Sequence, residues 1–148
     1  MPELFETTQI KNMTLNNRFV RSATWEGLAG EDGSCTKKLT DLMVKLAAGG
    51  VGLIITGHAY VQRIGQAGPY QLAINDDSLV PGLRVMTDAV HRDGGRIVIQ
   101  LAHAGCNAVA NLSGMEPAGP SVFERDGKSL CSEMGREEVA ETVKAFAE

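Results

Sequence analysis

Two short apolar runs constrain the fold of this chain more than any other feature. Residues 51–57 (Val-Gly-Leu-Ile-Ile-Thr-Gly) and 96–101 (Arg-Ile-Val-Ile-Gln-Leu) show little alternation of apolar and polar side chains. A strand with one wet face alternates; a strand covered on both faces does not, and such strands belong to parallel sheets flanked by helices. Amphipathic helices are predicted where those flanks must come from. Thr36 is a suitable N-cap, after which Leu39, Leu42, Met43 and Leu46 recur at spacings of three and four, and Gly49-Gly50 ends the pattern. A second helix begins near Asp77 or Ser78, tolerates Pro81 in its first turn, repeats at Leu79, Leu83, Met86 and Val90, and stops at Gly94-Gly95.

The remaining segments complete an order. Residues 5–20 read as a short hairpin, and residues 18–24 as a first strand. Residues 102–135 read as one long loop, of a length that is often functional. Residues 136–148 form a last helix with Val139, Val143 and Phe146 on one face. Strands near 18, 51 and 96 joined by helices predict consecutive right-handed βαβ units. Such units occur in a closed (β/α)8 barrel or an open doubly wound sheet. The lack of a G-x-G-x-x-G turn after the first strand favours the barrel.

Composition narrows the function classes. Hydrophobic residues make up 43% and charged residues 22%, the balance of a folded globular protein. The net charge of -4 gives no electrostatic reason to bind nucleic acid or an anionic membrane. The first residues are acidic rather than apolar, so they do not read as a signal peptide. No apolar run approaches the roughly 20 residues of a membrane span. Cys35, Cys106 and Cys131 are odd in number and have no C-x-x-C spacing. The expectation is therefore no disulfide, no metal site and a reducing cytoplasm.

In parallel α/β architectures, ligands bind beyond the carboxyl ends of the strands. Those ends hold the candidate residues. Ala23 and Gly57 are small enough for a planar ring to approach, although small residues also suit tight packing. Gln100 closes an otherwise apolar strand; its amide can pair with a ring edge that alternates N–H and C=O, or be satisfied locally. His58 and His103, each expected just past a strand end, can donate to an anionic oxygen or move a proton. Trp25 can wall a pocket or cap the barrel end. Glu26 is a candidate acid or base, or a surface carboxylate.

These stretches resemble the Old Yellow Enzyme family of FMN-dependent ene-reductases and NADH:flavin oxidoreductases. Residues 17–23 (Asn-Arg-Phe-Val-Arg-Ser-Ala) resemble the family's first strand, and residues 52–57 its second. Residues 88–91 with 94–105, which include Gly-Gly-Arg-Ile-Val-Ile-Gln-Leu-Ala-His-Ala-Gly, resemble its second helix and third strand. Residues 119–121 (Gly-Pro-Ser) resemble a segment of the following loop. The resemblance runs through the whole chain in order.

The resemblance implies a TIM barrel, of which the hairpin and about the first three β/α units are present. It implies FMN as cofactor, contacted by Ala23, Thr24 and Trp25, with Gly57 beside the isoalloxazine and Gln100 on its pyrimidine edge. The strand-end positions, apart from the resemblance, make Glu26, His58 and His103 candidate substrate or mouth residues. It also implies NADH or NADPH as reductant and an activated alkene as acceptor. Two positions depart from the family pattern: Trp25 stands where members carry Thr or Cys, and Cys106 where many carry Arg. The family's substrate-binding His pair, its phosphate loops and, in some relatives, an iron–sulfur cluster are expected beyond Glu148. Residues 1–148 are accordingly expected to be the N-terminal part of one barrel domain, ending before the fourth strand. As such a part they would not turn over alone, and they would pair with a complementing chain or with a second copy. A flavin-free barrel lyase or aldolase and a non-catalytic self-associating chain remain open readings.

Overall fold

The computed structural model describes residues 3–147. Strands β1 (Thr8–Ile10) and β2 (Met13–Leu15) form the expected antiparallel hairpin, and Lys11 turns it with φ 52°. Leu15 is the residue that the hairpin buries.

The centre of the molecule is a three-stranded parallel sheet of β3 (Val20–Arg21), β4 (Leu53–Tyr60) and β5 (Ile97–Ala102), in the order β3-β4-β5. Helices α1 (Lys37–Ala48) and α2 (Val80–Arg92) link successive strands and cover one face. This is the start of a (β/α)8 barrel: hairpin, then three β/α strands in sequence order. The core lies between sheet and helices, where Leu39, Met43, Ala47, Ile54, Ala59, Met86 and Val90 are buried together and Ile97 and Ile99 pack against them. The reading of both helices holds. Thr36 caps α1 by accepting from the Leu39 N–H at 3.2 Å. Pro81 sits in the first turn of α2, with Asp76 rather than Asp77 or Ser78 capping the short 3-10 turn before it.

The strands depart from the expected bounds in two instructive ways. β3 is only two residues long, because the chain beyond Arg21 leaves the ladder and Glu26 folds back toward β4. β4 runs three residues further than expected, so His58 lies within a strand and not after one. The extension contains a β-bulge: Ile55 pairs with Val98 while His58 pairs with Gln100, placing Thr56 and Gly57 opposite a single residue. Thr56 mends the interrupted ladder, its Oγ1 accepting from the Gln100 N–H at 3.2 Å.

Residues 102–135 are not a plain loop. They contain a 3-10 turn, the one-turn helix α3 (Ala110–Ser113) and a small sheet of β6 (Ala118–Gly119), β7 (Phe123–Arg125) and β8 (Lys128–Glu133), in the order β6-β8-β7. Cys106 and Cys131 are joined by a disulfide. The expectation of no disulfide is therefore corrected, and with it the cysteine argument for a reducing compartment. Spacing misled because the partners stand 25 residues apart and meet only when β8 folds back over the end of β5. Cys35 is a free cysteine, and burial pushes its thiol up from the ordinary value. Helix α4 (Arg136–Ala147) follows, with Val139, Val143 and Phe146 exposed on it. No described helix is long and apolar enough to cross a membrane.

Candidate functional site

A cleft of about 360 Å³ opens at the carboxyl ends of β4 and β5, lined by His58, Ala67, Gln71, Gln100, Ala102 and His103 among others. It brings together three of the residues anticipated from sequence: His58, Gln100 and His103. The bulge makes this possible, since it turns His58 into register with Gln100 while Ile54 and Ala59, on either side of it, both stay in the helix-facing core. A larger space, about 760 Å³, lies between β5 and the end of α4. Its walls combine apolar side chains with Asn75, Asp76 and Asp77, and no histidine lines it.

Gln100 is exposed, and among the described residues its side-chain amide has no hydrogen-bond partner, while its backbone N–H donates to Thr56 Oγ1. His58 is more tightly held. Gln71, a buried side chain, brings its Nε2 within 2.6 Å of His58 Nδ1 and also donates to the His58 carbonyl at 3.3 Å. The ring of Trp25 lies over that of His58 with centroids 6.1 Å apart and planes 28° apart. Gly68 makes room for the indole: a Cβ there would stand 2.8 Å from it.

His103 contributes a wall more than a donor. Its Nδ1 accepts from the Gly105 N–H at 3.0 Å, which leaves the proton of the neutral ring on Nε2. That nitrogen is buried against Gly65 with no partner. Burial also holds the ring below the usual histidine range.

The other anticipated residues do not line the cleft. Glu26 forms an ion pair with Arg21 at 2.9 Å, its side chain only 8% exposed, and accepts from the Gly57 N–H at 3.2 Å. Arg21 also donates to the Ile55 carbonyl at 2.9 Å. Glu26 is thus a pin between the first two strands rather than a mouth residue. Gly57 faces this pin: a Cβ would fall 2.3 Å from the Glu26 carboxylate and 2.8 Å from the Thr24 carbonyl. Its missing side chain serves the packing of Glu26, not the approach of a ring from the cleft. Ala23 is half-buried, and Thr24 is exposed with its hydroxyl turned back to the Ser22 carbonyl. Trp25 supports His58 from behind. Sequence reading missed Gln71, which lies in a loop where nothing in the local pattern marks it as polar and buried. Among the described residues, no three His, Cys, Asp or Glu side chains converge as a metal site would require.

Fold and cleft together define the amino-terminal portion of a barrel whose strand ends carry a polar cleft. The match with known proteins is specific: the chain belongs to the NADH:flavin oxidoreductase / NADH oxidase family, whose model matches residues 3–148. It is 33% identical over 147 residues to the Bacillus subtilis protein named "Probable NADH-dependent flavin oxidoreductase YqiG", covering 98% of this chain and 39% of that one. It is likewise 33% identical over 147 residues to an NADPH dehydrogenase of Listeria welshimeri, covering 99% of this chain and 43% of the relative. Its backbone superposes on an old yellow enzyme homologue from Zymomonas mobilis with a TM-score of 0.85 at 26% identity, over 98% of this chain and 43% of the other. The chain therefore spans about two-fifths of the length of these relatives.

Proposed function

We propose that this chain supplies the first three β/α units of an FMN-dependent oxidoreductase that passes hydride from NADH or NADPH to an activated alkene of the unsaturated-carbonyl type. The observation that carries the reading is the unpartnered Gln100 amide at the mouth end of β5, open to a cleft, in a chain of the flavin oxidoreductase family. An amide offers two donors and an acceptor, the set that a flavin's pyrimidine edge of alternating N–H and C=O requires. The residues present fit the group as one half of its site. Gln100 would bind the ring edge, Ala102 and Ala104 would leave room for a flat ring, and His58 would add a donor beside Gln100. A bound flavin would supply the two-electron carrier that protein side chains lack. Donors near the ring edge would stabilise the negative charge of its reduced form. Ala23 and Thr24 are retained as backbone contacts from the β3 end, and Trp25 as an indirect one through His58. The phosphate and substrate contacts, and the rest of the single barrel domain, belong to strands beyond the third.

The test is direct. The protein carrying this chain, purified, should show oxidised-flavin absorbance that NADH or NADPH bleaches anaerobically and an added cyclic enone restores. A colourless protein whose spectrum does not respond to added FMN overturns the proposal. Colour that no nicotinamide can bleach overturns the reductant. Bleaching that the enone does not reverse overturns the acceptor class.

A further inference from the structure

We infer that Gln71 fixes the tautomer of His58, so that the ring presents an Nε2–H donor to the cleft beside Gln100. The inference rests on the cofactor reading only for the identity of the ligand; the tautomer itself follows from three contacts. The Ala67 N–H donates to Gln71 Oε1 at 2.7 Å, and the Gln71 amide nitrogen donates to the His58 carbonyl at 3.3 Å. A backbone N–H can only give and a backbone carbonyl can only accept, so the two ends of the Gln71 amide cannot be exchanged. The same amide nitrogen lies 2.6 Å from His58 Nδ1. Nδ1 must therefore accept, and the proton of the neutral ring is on Nε2.

The surroundings turn that proton assignment into a directed donor. Gln71 is 1% exposed, so water does not compete for its amide. The Trp25 ring stacks beside that of His58 with centroids 6.1 Å apart. Among the described residues His58 Nε2 has no hydrogen-bond partner, and it is not buried, so it is open. His58 and Gln100 are register partners on adjacent strands and line the same cleft. The ligand feature that matches an imidazole N–H beside an amide is an electron-rich acceptor on a planar ring edge, a carbonyl oxygen or ring nitrogen. His58 is thus a binding residue and Gln71 its positioning residue, since Gln71 acts on the ligand through the imidazole.

The chain has only three histidines, His58, His91 and His103, which makes the tautomer measurable by ¹⁵N NMR of histidine-labelled protein, with a His58→Phe sample giving the assignment. At neutral pH, His58 should show a pyridine-type Nδ1 and a pyrrole-type Nε2. Gln71→Glu keeps the acceptor for Ala67 and places a carboxylate oxygen against Nδ1, so the His58 proton should move to Nδ1 without loss of fold. A purely structural role for Gln71 would not move the proton. FMN titration of the protein carrying this chain supplies the second readout: His58→Phe, which keeps an aromatic ring beside Trp25, should weaken binding about tenfold, the scale of one hydrogen bond. Gln71→Glu should weaken it similarly. An Nδ1–H tautomer in the unaltered protein, or no proton shift in Gln71→Glu, overturns the inference. Unchanged FMN affinity in His58→Phe overturns its ligand role and leaves the cofactor reading intact. Absence of FMN binding together with the Nε2–H tautomer overturns the cofactor reading and supports the Gln71–His58 couple.

Discussion

At the scale of single residues, the two cleft histidines show how local hydrogen bonding divides similar side chains between roles. Both accept at Nδ1, but His58 keeps Nε2 open, whereas His103 buries Nε2 unpaired against Gly65. The second arrangement has a consequence for pH. Burial lowers the folded-state value of His103 below its ordinary 6.5, so the unfolded chain binds a proton that the folded chain resists. The stability that the neutral ring allows is fully present above 6.5 and declines as pH falls through 6.5 toward the folded value. Thermal unfolding followed across that range should show a falling midpoint, and His103→Gln should flatten this component of the slope. An identical slope in the variant would assign the acid sensitivity elsewhere. That Gln100, His58 and His103 line one cleft was legible because they sit at or near strand ends, which the apolar runs mark. Gln71 was not, because its burial arises when the segment after β4 folds back, which local pattern does not encode. Gly57 and Glu26 lie away from the cleft for a related reason: the bulge exchanges the faces on which Gly57 and His58 lie.

At the scale of elements, the helices and the three parallel strands followed from periodicity and caps, since α1 and α2 each bury one stripe against a sheet covered by that stripe. The segment 102–135 was harder to read because its strands are short and mostly exposed, so they carry little apolar alternation. One signal was present and passed over: Asp126-Gly127 between β7 and β8, with φ of 53° and 72°, the backbone that a two-residue hairpin turn demands. The disulfide holds this hairpin. Cys131 is buried, Cys106 lies in the 3-10 turn after β5, and Gly119 of β6 packs against the Cys106 sulfur. Closing a loop between partners 25 residues apart removes unfolded-chain entropy worth about 3.5 kcal/mol in the loop-closure model. Reduction of the bridge, or Cys106→Ser with Cys131→Ser, should therefore speed amide exchange in β6–β8 while the amides of β4 and β5 keep their protection. Equal exchange before and after reduction would mean that the small sheet stands without the bridge.

At the scale of the whole molecule, the sheet is a parallel stack of three, and its outer strand β5 has no neighbour on the far side among the described residues. Leu101 on that strand remains 39% exposed, and Phe146 of α4, 41% exposed, lines the same space. The space of about 760 Å³ between them is walled by apolar side chains together with Asn75, Asp76 and Asp77. A barrel of this type takes about 250 residues to close, and closure is what covers the inner and edge faces of its third strand. An uncovered edge of paired-strand geometry recruits another strand, and exposed aliphatic surface adds a driving force of roughly 25 cal/mol per Å² removed from water. The 148-residue chain on its own should therefore associate with itself. Light scattering on a sizing column should give a mass above 15.8 kDa that rises with loading. Addition of a polypeptide carrying the remaining barrel strands should replace that series with one defined species, because the same edge cannot serve both partners. A concentration-independent mass of 15.8 kDa, unaltered by the complementing strands, would mean that α4 swings in to cover β5 and that the open edge is not the property that governs this chain.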